Sequence, residues 1–89
     1  MMEVAWTESA IESFCKVVDY LFVEAIQLFE FEVDTTIERI TSFNQICPES
    51  KLFGYRKCII DKHNSMIYYI VNNQLLIVNF IDNRSQHLY

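Results

Sequence analysis

The sequence predicts an α+β domain in the order β-α-α-β-β-β, a helical hairpin packed on a mainly antiparallel sheet. Three observations predict it. Two apolar stripes at helical spacing run through residues 10–43. Three segments rich in Ile, Val, Tyr and Phe follow residue 54. Cys47-Pro48 separates the two regions, and the residue before a proline is biased away from helix. Residues 1–89 read as a single domain without repeats, low-complexity tracts or linkers.

The first element is a short strand in which Val4 and Trp6 alternate with Glu3 and Ala5. Thr7 then suits a helix N-cap, with Glu8 in the first turn where a negative charge favours the helix dipole. In that register Trp6 and Ile11 stand at the two ends of a hydrophobic staple. Ser9 competes for the cap, because Ser9-Ala10-Ile11-Glu12 matches a capping box. The buried stripe is Ala10/Ile11, Phe14, Val17/Val18 and Leu21, with Glu12, Lys16 and Asp19 outside. A second stripe, Ile26, Phe29, Val33, Ile37, Ile40 and Phe43, continues at the same period.

No Gly, Pro or Asn separates the two stripes. A turn within residues 21–25 gives a hairpin; its absence gives one rod over residues 8–46, exchanged between two protomers. Beyond Gly54, strands are expected over residues 55–60, 66–71 and 74–81, with Asn72-Asn73 as a tight hairpin because Asn tolerates φ > 0. Both faces of these strands are apolar: Met66, Tyr68 and Ile70 against Ile67, Tyr69 and Val71, then Leu75 and Ile77 against Leu76, Val78 and Phe80. Helices cover only one face of so small a sheet, so a partner is expected on the second face or on the outer helix residues Leu28 and Phe31.

Composition narrows the function classes. The chain is 52% hydrophobic with one Gly and one Pro, which argues for a folded domain with apolar surface to spare. A single Gly excludes a phosphate-binding glycine loop. No apolar run approaches the roughly 18 residues of a membrane span, and the start Met1-Met2-Glu3-Val4 does not read as a signal peptide. Cys15, Cys47 and Cys58 are odd in number and irregularly spaced, so reduced thiols in a cytoplasm are expected, with no disulfide framework, no metal site and no cofactor. The net charge of −5 is unevenly shared. Residues 1–43 hold two bases against nine acids, whereas residues 44–89 hold five bases against three, which leaves room for a local phosphate site.

Several strings carry a family resemblance across nearly the whole chain. They are Val4-Ala5-Trp6-Thr7 leading to Ala10, Asp19-Tyr20-Leu21, Pro48-Glu49-Ser50, Arg56-Lys57, Lys62-His63, Tyr68-Tyr69-Ile70 and Phe80-Ile81-Asp82-Asn83-Arg84. In order and spacing the chain resembles the RelE/ParE superfamily of toxins from bacterial toxin–antitoxin (plasmid stabilisation) modules. The resemblance implies a cytoplasmic toxin neutralised by a cognate antitoxin, acting on ribosome-bound mRNA in the RelE-like and YoeB-like branches or on DNA gyrase in the ParE-like branch. By the same resemblance Arg56 and Arg84 match the family arginines, and His87-Leu88-Tyr89 is similar to the terminal His/Tyr of YoeB-like toxins.

Metal-independent RNA cleavage needs a base for the 2′-hydroxyl, a cation beside the phosphate and an acid for the leaving oxygen. Glu49, Arg56, Arg84, His87 and Tyr89 are the candidates for those roles, and Lys57, Lys62 and His63 for holding nucleic acid. The alternative is a non-catalytic interaction module. Acidic net charge favours it, as does Asn64-Ser65, where YoeB-like nucleases carry an arginine just after the histidine.

Overall fold

A computed structural model describes residues 2–89. Strand β1 (Glu3–Trp6) leads into α1 (Glu8–Asp19) and α2 (Val23–Ser42), followed by β2 (Arg56–Ile59), β3 (Asn64–Val71) and β4 (Gln74–Asp82). The four strands lie in the order β1-β4-β3-β2. All neighbours run antiparallel except β1, which pairs parallel with β4. No helix among the described residues is long and apolar enough to cross a membrane.

Thr7, not Ser9, caps α1: its hydroxyl accepts from the Ala10 N–H at 3.1 Å. Ile11, the far end of the anticipated staple, remains 51% exposed. Trp6 instead lays its ring on Phe14 and Phe80, with centroids 5.4 and 5.5 Å away, and Phe29 closes the group from α2. The chain turns at Tyr20–Phe22, so the stripes form two helices rather than one rod. Phe29, Val33 and Ile40 are buried, and Phe14, Val18, Leu21 and Ile37 pack against them. Phe43, counted into the second stripe, is the C-cap of α2 and stays exposed because the helix ends there.

Asn72 and Asn73 have φ of 50° and 60° and form the tight turn between β3 and β4. The register of that pair shifts between Ile67 and Tyr68: Ile67 faces Asn79, Tyr68 faces Ile77, and Val78 is left over as a bulge. The extra residue reverses the alternation expected for β4. Phe80 therefore joins Leu75 and Ile77 in the core beneath the helices instead of opposing them. Polar side chains at the cap and in the middle of α1 satisfy the backbone groups at the bulge. Thr7 donates its hydroxyl to the Val78 carbonyl at 2.8 Å, and the Phe80 N–H donates to the Ser13 hydroxyl at 2.9 Å.

Cys47 and Cys58 are joined by a disulfide, with Cα atoms 5.2 Å apart, contrary to the reduced thiols expected from spacing alone. The end of the α2 segment and the edge strand meet only in three dimensions, so an eleven-residue separation gave no sign of the pair. Cys15 is a free thiol and exposed.

Candidate functional site

After α2 the chain doubles back along β2. The Lys57 N–H donates to the Pro48 carbonyl at 3.0 Å, Glu49 forms an antiparallel bridge with Arg56, and the Ser50 N–H donates to the Tyr55 carbonyl at 2.9 Å. Ser50 folds the tip by accepting from the Leu52 N–H at 3.0 Å, and Gly54 completes it at φ +91°, a conformation open to glycine. The C-terminal tail then comes to this loop: the Lys51 N–H donates to the Tyr89 carbonyl at 3.1 Å. Tyr55 stands edge-on between Tyr69, at 5.2 Å, and Tyr89, at 5.8 Å.

This assembly occupies the sheet face away from the helices. Tyr68 and Met66 belong to the core, so Ile67 and Tyr69 alternate to the other side, and Lys57 sits opposite Ile67. Ile67 is fully buried without belonging to the helix-side core. Loop and tail thus cover part of the face for which a partner had been expected. His87 belongs to the same cluster. Burial first, then the charges of Lys57 and Lys51, push its pKa below the usual histidine value, and its Nδ1 is buried without a hydrogen-bond partner.

The two arginines lie elsewhere. Arg56 pairs with Tyr68 and turns to the helix side, where its guanidinium donates to the Cys47 carbonyl at 2.7 Å and stands 3.8 Å from Glu49. Beside it the Tyr68 hydroxyl donates to the Asn44 carbonyl at 2.8 Å, and burial pushes its pKa up. Arg84 follows β4 and forks onto Asp82, Nε to Oδ1 at 3.0 Å and the terminal nitrogen to Oδ2 at 2.9 Å. That contact holds the Asp82 carboxyl down at about 2. Arg84 lines an open groove of about 500 Å³ with Lys16, Tyr20 and His63.

Arg56 is level with Tyr68, whereas Asp82 is level with Asn64. Four residues of β3 separate those levels, roughly 13 Å. The fold brings Lys57, His87 and Tyr89 together with Lys51. It keeps Glu49 with Arg56, and leaves Arg84 and His63 at the far end of the sheet. Lys62 lies exposed in the turn before β3, where the Asp61 carboxylate accepts from the His63 and Asn64 N–H groups. Lys51 and Tyr55, missed from sequence, are signalled only by basic and aromatic residues flanking Gly54. No group of acids, histidines and cysteines able to hold a metal occurs among the described residues.

No family model matches the sequence, and no curated protein matches it. Solved structures do. A copper-bound mutant toxin from Helicobacter pylori superposes with a TM-score of 0.72 at 16% identity, covering 93% of this chain and 96% of that one. The YoeB dimer from Staphylococcus aureus gives 0.68 at 13% identity over 88% and 92%. The fold is that of the RelE-type toxins. The intact RelBE toxin–antitoxin complex of E. coli matches with 0.67 at 7% identity over 96% of this chain and all of its counterpart. At such identities this RelE-like fold is shared while the side chains are not, so the chemistry has to be argued from the chain's own residues.

Proposed function

We propose that the chain is the toxin half of a bacterial toxin–antitoxin pair, with RNA as its target and the Lys51/Lys57/His87/Tyr89 cluster as its working surface. The observation that carries the reading is the near end-to-end match to a toxin–antitoxin complex, over 96% of this chain and all of its counterpart. On this reading the protein works in the bacterial cytoplasm. Exposed Leu28 and Phe31 on α2 are where an antitoxin segment, or a second copy of the chain, gains apolar contact.

The cluster suits metal-independent cleavage. His87, with its lowered pKa, is neutral near pH 7 and so is ready to take the proton of a ribose 2′-hydroxyl. Lys51 and Lys57 offer positive charge to the phosphate as the 2′-oxygen attacks phosphorus. On this reading Tyr89, whose ring stands against Tyr55, returns a proton to the departing 5′-oxygen. Tyr55 and Tyr69 give bases a surface for stacking. Glu49 and Arg56 then hold the loop, and Arg84 with Lys62 and His63 lies outside the reacting centre.

The test is induced expression in a bacterial host, with growth and total RNA followed together. Growth arrest with cleaved mRNA in the wild type, lost in both Lys57→Ala and His87→Ala, is the expected result. Arrest with intact RNA moves the target to DNA gyrase. No arrest at all supports the interaction-module reading, which draws on one specific observation: both candidate arginines are already engaged by carboxylates of the same chain.

A further inference from the structure

We propose that Cys47 and Cys58 form a reversible thiol–disulfide site that sets the order of the 48–55 loop and, through it, of the C-terminal tail. The bond ties the residue entering the loop to the third residue of β2, closing the loop at its base. The hydrogen bonds and the bridge at the base of the loop lie inside that closure or next to it. Arg56 donates to the Cys47 carbonyl, Lys57 donates to the Pro48 carbonyl, and Glu49 bridges Arg56. The only backbone hydrogen bond described for residues 86–89 runs from the Lys51 N–H, at the loop tip, to the Tyr89 carbonyl. A covalent change at the base of the loop therefore reaches the tail through one short segment.

The chemistry balances with a dithiol as reductant. A thiolate attacks the Cys47 sulfur, which is the more accessible because Cys58 is only 2% exposed. The Cys47–Cys58 bond breaks, a mixed disulfide forms on Cys47, and Cys58 leaves as a thiolate that takes a proton. The reductant's second thiol then releases Cys47 and closes the reductant's own disulfide. Two electrons and two protons pass to the protein. The loop next loses its closure, and the tethers left at its base are hydrogen bonds and an ion pair whose Glu49 side is exposed, which hold such a segment weakly. The claim about loop and tail stands on this geometry; its consequence for activity rests on the RNA-directed reading above.

The experiment uses the full chain with dithiothreitol as reductant and two readouts that need no toxin activity. Thiol titration of unfolded protein should give one thiol before reduction, Cys15, and three after. Amide exchange at Lys51 and Lys57 should accelerate about tenfold or more on reduction while the Phe80 amide in the core is unchanged. A Cys47→Ser/Cys58→Ser variant should show the fast exchange without reductant. Because the wild type is reduced directly, a variant that fails to fold leaves the test intact. Three thiols before reduction, or unchanged exchange at Lys51 and Lys57 after it, overturns the proposal. If the amides respond but RNA cleavage is absent in both redox states, the loop device stands and the RNA-directed reading falls.

Discussion

The hydroxyl of Thr7 donates to the carbonyl of Val78, 71 positions later, at 2.8 Å, while accepting from the Ala10 N–H. One side chain thus caps α1 and satisfies the bulge of β4. Thr7→Val keeps the shape and removes both bonds. It should cost about 2–3 kcal/mol, from a lost cap and a part-buried carbonyl left unpaired. Thr7→Ser should recover most of this. Urea unfolding of the three proteins measures the difference, and equal midpoints for Val and Ser would refute the double role.

Phe29 and Phe31 sit two residues apart on α2 with opposite fates, 3% and 63% exposed. Phe29→Ala opens a void among Phe14 and Phe80 and should cost about 3–5 kcal/mol, a large share of a small domain's stability. Phe31→Ala should change stability by no more than about 0.5 kcal/mol. If α2 docks an antitoxin, the same variant should weaken the complex, which titration calorimetry against the purified antitoxin reads directly.

These contrasts mark how far the sequence could be read. Helical periodicity located Phe29, Val33 and Ile40 in the core, and Asn72-Asn73 revealed the hairpin, because both signals are local. Alternation alone sets Phe80 opposite Leu75 and Ile77, because the bulge at Val78 that brings the three together leaves no mark in an apolar run. The partnership of Cys47 and Cys58 depends on where α2 ends over β2, which no spacing rule encodes. For the site, the sequence grouped His87 and Tyr89 with Arg56 and Arg84, whereas the fold sets both arginines apart from the tail. Strand alternation decides otherwise: Lys57, one residue on, is the base that faces the tail.

His87 gives a pH dependence of known sign. Its folded pKa lies below the ordinary histidine value of 6.5, so the unfolded chain takes up its proton first as pH falls. The contribution is fully present above pH 6.5 and is lost as pH drops through the lower folded value. Urea midpoints should accordingly decline from pH 7 toward pH 5, and His87→Gln, which cannot titrate, should flatten the decline. An unchanged slope in the variant would assign the effect elsewhere.

Gly54 has φ +91° and open space around the position of an added Cβ. Gly54→Ala should destabilise the protein by about 1–2 kcal/mol through backbone conformation alone. Were the loss due to crowding, Gly54→Ser would be clearly worse than Ala; the two should instead be nearly equal in thermal melts.

The parallel pairing of β1 with β4 sets a timetable for synthesis. Glu3 finds Gln74, and Trp6 finds Ile77, only after most of the chain has been made. On a ribosome the helical hairpin is free to form early, yet the central strand of its sheet emerges nearly last, and contacts so distant in sequence are slow to close. A nascent chain stalled before residue 74 lacks both the ladder under Trp6 and the tail bearing His87.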